Sequence, residues 1–304
     1  MDDIERPVPA ADQLLIKVYA SGINPVDWSI REGGNDLLRP FLKLPLLMGW
    51  DAAGVVEAVG SDVQGFKVGD AVYGEPDFPG SGSYSEYLVS RASAFARKPG
   101  SISFTEAAGV PLAGLTAWTG VFEYGKLRAG QRILVQGASG SVGGFAVQFA
   151  KAKGAYVIGT ASGKNVEYVK QLGADEVIDY QTQHIEELLH DIDVVLEAST
   201  VRDNRERLKA VRVLKEGGKF VTANPDYPLD EAVQQALAAK HATGEGYNNE
   251  ARGEWLAEIA ELIDAGKVKV PAPTVFPLEE VAEAHRQGES SQLRGKLVLR
   301  VTDN

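Results

Sequence analysis

Hydrophobic and polar positions fall into two textures along the chain. From about Leu14 to Phe95, short runs rich in Val, Ile, Leu and Tyr ("LLIKVYA", "AAGVVEAVG", "DAVYG", "YSEYLVS") alternate with Gly, Pro and Asp turns and show little helical periodicity. That spacing predicts a twisted, partly closed β-domain. From Thr105 onward, apolar runs alternate with helical patterns: "RILVQ" leads into a helix, "AYVIGT" into the segment 164–172, "DEVIDY" into 183–190 and "IDVVLEAS" into 203–214, with "GKFVTA" following. This alternation predicts a parallel sheet covered on both faces. "GEWLAEIAELIDAGK" predicts an amphipathic helix with Trp255, Ile259 and Leu262 on one stripe and Gly266 as its stop. The closing segments "VKVPAPTVFPLEEVAEAHRQ" and "GKLVLRV" return to the first texture, so the C-terminal tail is expected to fold back onto the first domain. The expected division is a mainly β-domain from residues 1–105 plus 268–304 and a doubly wound α/β domain from residues 106–267.

Composition narrows the function classes. With 304 residues, two domains are the better expectation. The balance of 31 basic against 42 acidic residues, net −11, disfavours nucleic acid or an anionic membrane surface as partner, since both need a basic face. No apolar run approaches the roughly 20 residues of a membrane span. The opening "MDDIERPVPA" has neither a basic n-region nor an apolar h-region, and a soluble intracellular protein, placed in the cytoplasm, is expected. Cysteine is absent, which removes disulfides, thiol nucleophiles and thiolate metal sites together.

The stretch "ILVQGASGSVGGFAVQFAKAKG" carries the first chemistry. A strand at Ile133 to Val135, a glycine-rich turn and a helix from about Ser141 to Gly154 form the context in which glycines hold a dinucleotide pyrophosphate. Ala138 takes the tight-turn place, Ser139 follows it, Gly140 lets the backbone approach the phosphates and Gly143 lets the helix pack on the strand. Free N–H groups around Ser141 and Val142 then face the diphosphate. Further on, where an Asp or Glu would accept the ribose hydroxyls of NAD, the sequence is "VIGTASGKN", with Ser162 and Lys164 and no acid. A hydroxyl and an ammonium suit a 2′-phosphate, so NADPH is the expected cofactor. The competing assignment makes Ser162 a helix cap and Lys164 a solvated surface charge.

The ordered set "SGINPVDWSIREG", "GWDAAGVVEAVGSDVQGFKVGDAVYG", "GSYSEYLV", "AAGVPLAGLTAWTGV", "GASGSVGGFAVQFAKAKGA", "LGADEVIDY" and "GKLVL" resembles the medium-chain dehydrogenase/reductase superfamily, in its zinc-independent NADPH:quinone oxidoreductase (zeta-crystallin-like) branch. The resemblance covers nearly the whole chain. It implies a GroES-like β-domain plus a Rossmann domain, with NADPH in the cleft between them. It also implies that Thr116 lies near the nicotinamide end, that Tyr180 lies near the adenine end, and that Ala198 and Ala223 end the fourth and fifth strands of the site. For Tyr180 and the two alanines, ordinary packing is the alternative.

The resemblance also shows departures. Zinc-dependent members carry a cysteine where this chain has Asn24, a His-Glu pair where it has Trp50 and Asp51, and a cysteine-rich lobe with no counterpart here. The histidines, at 184, 190, 241 and 285, are scattered, and His184 and His190 read as solvated. No metal is therefore expected. Without a Lewis acid, alcohol oxidation gives way to hydride addition to a quinone or to the β-carbon of an enone, where the developing oxyanion needs only hydrogen-bond donors and a later proton. Asn24 is the candidate donor, or else it holds the turn before Pro25. Asp27 reads as fixing that loop, and Trp50 as the wall of an aromatic substrate site or as core.

The expected function is an NADPH-dependent quinone or enone reductase. The alternatives are an enoyl-thioester reductase and an NADPH-binding sensor or structural protein with little turnover. Relatives usually place one more strand and turn ahead of "MDDIERPVPAADQLLIKV", so the first domain is expected to be shorter by roughly 15 to 20 residues, with an edge that a neighbour covers or with a start further upstream. "KHATGEGYNNEARGEW" stands where the family commonly has a sixth Rossmann strand used for homodimer pairing; its Gly, Asn and Glu content gives poor strand propensity.

Overall fold

A computed structural model describes residues 3–34, 39–42, 44–78, 80–290 and 295–302, so the outermost ends of the expected domain spans lie outside the described residues. The chain divides into two units, 1–115 with 251–266 and 270–304, and 116–250 with 267–269.

The first unit is built around β1 (Gln13–Ile23), an eleven-residue strand. Leu14, Ile16, Val18 and Ala20 alternate into its core, which period-two alternation requires of a sheet with one buried face. Its further strands are β2 (Asp51–Val59), β3 (Ala71–Gly74), β4 (Tyr87–Arg91) and β5 (Phe95–Arg97), with β12 (Thr274–Pro277) and β13 (Leu297–Arg300) from the C-terminal tail. The order is β12-β13-β1-β2-β3-β5, with β4 also paired to β1. The tail thus returns to this sheet: β13 runs antiparallel to β1, Ile23 opposite Leu297.

The second unit holds β6 (Arg132–Gln136), β7 (Tyr156–Ala161), β8 (Glu176–Asp179), β9 (Ile192–Glu197), β10 (Leu214–Thr222) and β11 (Thr243–Gly246), in the order β11-β10-β9-β6-β7-β8. Every pairing is parallel. This is the doubly wound order, whose reversal falls between β6 and β9, and ligands of such sheets bind outside the carboxyl ends of the strands at that point. The strands read as nearly continuous buried runs because helices cover them. No helix among the described residues is long and apolar enough to cross a membrane.

Two elements differ from the sequence expectation. The helix Gly253–Asp264, assigned above to the α/β domain, groups with the first unit. A Cβ on Gly253 would come within contact of the Phe95 backbone, Tyr73 Oη donates to the Leu256 carbonyl (2.6 Å), and Asp264 accepts from the Gly100 and Ser101 N–H groups. Its buried stripe is Trp255, Leu256, Ile259 and Ile263, with Leu262 only half-buried; Gly266 ends it at φ +67°. The second difference is β11, which forms despite its composition. Its Gly244 leaves room for Leu229 and Leu237, either of which a Cβ would strike.

Candidate functional site

In the second unit, β6 runs into a turn at Gly137, which has φ +77°, and the helix Ser141–Ala152 starts after Gly140. Gly140 N–H closes the turn on the Gly137 carbonyl (3.0 Å), and Gly144 N–H makes the first helical bond to Gly140 O (2.8 Å). A Cβ on Gly143 would fall 2.8 Å from Ala138 Cα, so only glycine lets the helix sit this close to the turn. Gly140 is exposed and, among the described residues, no side chain caps the helix. The first-turn N–H groups at Ser141, Val142 and Gly143 have no carbonyl within the helix to bond, and the helix dipole adds partial positive charge there. These residues fit a diphosphate. Thr160, at the end of β7, secures the turn from below: its carbonyl accepts from Ala138 N–H (3.0 Å) and its hydroxyl from Gly137 N–H (3.2 Å).

Ser162 and Lys164 follow β7 directly. Asn165 Nδ2 bridges Ser162 Oγ (3.2 Å) and Ser139 Oγ (3.4 Å), tying this loop to the glycine turn. Ser162 makes no side-chain cap, and Lys164 is exposed. One acid does stand close: a Cβ on Gly163 would lie 2.8 Å from Asp179 Oδ2, at the end of β8. Tyr180, next to it, is 60% exposed, so ordinary packing does not account for it.

Ala198 and Ala223 follow the ends of β9 and β10, and both are half-buried. Their N–H groups bond to Gln136 O and Glu197 O (3.0 Å each), continuing the ladder past the strands. Beneath them lies a buried ion pair. Arg207 donates to both oxygens of Glu197 (2.7–3.1 Å) and to Tyr227 O (2.8 Å), and Asn224 Nδ2 holds Ser199 O (2.8 Å). With every donor partnered, this network fixes the loops that leave β9 and β10. Thr116 is half-buried, and its carbonyl accepts from Tyr247 Oη (2.8 Å).

In the first unit, Asn24 precedes the helix Pro25–Arg31 and is 2% exposed. Its Nδ2 donates to Asp51 Oδ2 (2.8 Å), and its Oδ1 accepts from Lys296 Nζ, which also donates to Asp51 Oδ2 (3.0 Å). Asp51 Oδ1 accepts the Leu112 N–H (2.6 Å). A second chain of contacts starts at Asp27, whose Oδ2 accepts from Asn24 N–H (2.6 Å) and Tyr84 Oη (3.0 Å). Tyr84 Oη lies 3.1 Å from His285 Nε2, and His285 Nδ1 lies 3.3 Å from Arg31 Nη1. Because a guanidinium only donates, Nδ1 is the acceptor here and Nε2 carries the proton. The bonds then run from His285 through Tyr84 to Asp27.

Burial pushes the Asp27 carboxyl up to about 7, against the opposing pull of the Asn24 N–H, Tyr84 and Lys296. Burial, then Asp27, push the Tyr84 phenol well above its usual range. Burial, then the Arg31 charge, hold His285 below the usual histidine range. Asp27 Oδ1 is buried with no partner among the described residues.

Comparison with known proteins agrees with this architecture. Residues 10–100 match the alcohol dehydrogenase GroES-like domain family, and residues 172–299 match the zinc-binding dehydrogenase family. A mitochondrial NAD(P)H oxidoreductase of Mus musculus is 36% identical over 95% of this chain and 82% of its own length. A chloroplastic NADPH-dependent alkenal/one oxidoreductase of Arabidopsis thaliana is 38% identical over 98% of this chain and 74% of its own. The solved structure of the quinone oxidoreductase from Coxiella burnetii superposes with a TM-score of 0.86 at 31% identity, covering 99% of this chain and 94% of that one. The chain belongs to the medium-chain dehydrogenase/reductase superfamily, in its quinone-oxidoreductase-like branch.

A zinc site needs three or four N, S or O ligands held together. Where zinc-dependent members carry ligands, this chain sets a carboxamide, Asn24, and a carboxylate, Asp51, around the Lys296 ammonium. Among the described residues no three His, Cys, Asp or Glu side chains group as a metal site, and His190 and His241 are exposed. This donor set does not fit zinc. Trp50 is 4% exposed and packs edge-on against Phe78 (5.3 Å), as a core residue does. Lys296, Tyr84, His285, Thr160 and the Glu197–Arg207 pair were not among the expected site residues. Lys296 read only as the start of a strand, and His285 only as one of several scattered histidines.

Proposed function

We propose that the protein is a reductase that uses NADPH to reduce quinones or α,β-unsaturated carbonyls without a metal. The observation that carries the reading is the Asn24–Asp51–Lys296 set, which offers hydrogen-bond donors and one ammonium where a zinc-dependent relative would offer ligands. The names of the Arabidopsis and Coxiella proteins support the acceptor class.

When bound, NADPH supplies the hydride. Ser141, Val142 and Gly143 hold its diphosphate through their N–H groups, with Ala138, Ser139 and Gly140 shaping the turn. Ser162 and Lys164 receive the 2′-phosphate, opposed by the nearby Asp179 charge. Tyr180 covers the adenine, while Thr116, Ala198 and Ala223 border the nicotinamide. The second Nδ2 hydrogen of Asn24 is directed to the acceptor oxygen. Homodimer pairing along β11, the outermost strand of its sheet, belongs to the same reading.

The test is NADPH oxidation with a benzoquinone, a cyclic enone, a saturated ketone and a crotonyl thioester, before and after exhaustive chelation. Turnover of the quinone and the enone, indifferent to chelator, is expected. Ketone reduction abolished by chelation overturns the reading, turnover of the thioester alone replaces it with an enoyl-thioester reductase, and binding without turnover replaces it with a sensor.

A further inference from the structure

We propose that the Lys296 ammonium is the electrophile of this site, the cation against which the acceptor's oxygen rests as hydride adds. The inference deepens the reductase reading and rests on it.

Three observations carry it. The first is hydrogen-bond arithmetic. An ammonium has three hydrogens; Lys296 gives one to Asn24 Oδ1 and one to Asp51 Oδ2, which leaves one without a partner among the described residues. The second is position. Asp51 is fully enclosed and Asn24 nearly so, whereas the Lys296 side chain keeps 10% of its surface open, the largest exposed share in the cluster. The third is rigidity. Asp51 is held through Oδ1 by the Leu112 N–H and through Oδ2 by both Asn24 and Lys296, while the lysine stem lies along Gly109, where a Cβ would stand 3.5 Å from Lys296 Cβ and Cγ. Donors fixed before the reaction need no reorganisation as charge appears.

Hydride supplied by NADPH, whose dihydronicotinamide C–H bond would break to leave NADP+, forms a bond to the β-carbon of an enone, the C=C π pair moves to the neighbouring carbon–carbon bond, and the carbonyl π pair moves onto oxygen, giving an enolate. In a quinone the same shift gives the enolate of a cyclohexenedione, which becomes the hydroquinone as a ring proton moves to oxygen. The oxygen, now anionic, lies against the third Nζ hydrogen, with the Asn24 amide beside it. Lys296 acts by charge and keeps its proton; the one proton that completes the reduction comes from water. A buried ion pair is weak evidence for stability alone, and this pair leaves one ammonium hydrogen without a partner among the described residues.

The test uses the full chain with NADPH and compares wild type, Lys296→Met, Lys296→Arg and the double variant Asp51→Asn/Lys296→Met, which removes both charges and so avoids a stranded carboxylate. Turnover is read with a weakly electrophilic enone and an electron-poor quinone, and binding of p-nitrophenolate, an ionised enolate mimic, is read by its absorbance shift. In both Met variants enone turnover should fall by roughly a hundred-fold, quinone turnover by much less, and p-nitrophenolate binding should be lost, with Arg partly restoring all three. A merely structural lysine would lower both acceptors equally. That result, or a folded double variant with wild-type enone turnover and phenolate binding, overturns the proposal. If wild type reduces neither acceptor yet binds p-nitrophenolate through Lys296, the reductase reading falls and the anion site stands.

Discussion

Gly22 and Asp51 stand opposite each other across β1 and β2, and a methyl at Gly22 would lie 2.3 Å from the Ala108 carbonyl oxygen and 2.6 Å from Asp51 Oδ2. The glycine makes room for a carboxylate lying over the strand, and that carboxylate carries both Asn24 and Lys296. Gly22→Ala should therefore destabilise the protein by about 1–3 kcal/mol and displace Asp51. The check is a thermal melt together with enone turnover: loss of stability with turnover untouched would show that Asp51 need not sit here.

Asn24→Ala should lower turnover roughly ten-fold or more while NADPH affinity stays nearly unchanged, since the phosphate turn belongs to the other unit. Asn24→Asp should be worse, because it sets a carboxylate where Nδ2 now lies 2.8 Å from Asp51 Oδ2. Melting curves serve as control. A folded variant with wild-type turnover per bound NADPH would assign Asn24 to the turn alone.

If NADPH is the cofactor, as proposed, Lys164 and Asp179 on either side of Gly163 act on its 2′-phosphate with opposite sign. Ser162→Ala with Lys164→Ala should weaken NADPH much more than NADH, and Asp179→Asn should tighten NADPH selectively. Fluorescence titration reads both, and equal changes for the two cofactors would remove these residues from the 2′-phosphate site.

Asp27 makes stability depend on pH with a definite sign. Its carboxyl, about 7 in the fold against an ordinary 3.8, binds a proton more readily in the folded state, so its contribution to stability falls as pH rises from about 4 to 7 and is level above that. The span corresponds to at most on the order of 4 kcal/mol. His285, held low, acts the other way, losing stability as pH drops below its ordinary 6.5. Asp27→Asn should remove the first slope, so the difference between variant and wild type, measured by denaturant unfolding from pH 4 to 8, should grow in the variant's favour as pH rises. A difference independent of pH would mean that Asp27 is ionised throughout.

The parallel sheet and the glycine turn were legible because both are written locally: buried strands, a turn that only glycine can make, and a helix start occupy consecutive residues. The polar set around Asn24 was not. Lys296 meets Asn24 from 272 residues away, and His285 meets Tyr84 from 201, so neither contact leaves a spacing that a short window can detect. The helix Gly253–Asp264 failed differently. Its stripe states which face is buried but not against what, and the contacts of Gly253 and Leu256 with the first unit decide the matter. β11 shows tertiary override: pairing with β10 and a fitted Leu237 outweigh weak propensity.

The pairing of β1 with β13 also sets an order of assembly on the ribosome. A chain made from its N-terminus releases β1 early and must complete 116–250, nearly all of the second unit, before the partner strand emerges. Until then the Ala20–Ile23 end of the central strand has a bare edge, and Asp51 is a carboxylate without its cation. The same short segment, Lys296–Arg300, closes both at once, so the edge that nascent chains must shield from one another and the charge that the finished site requires are resolved in one late event.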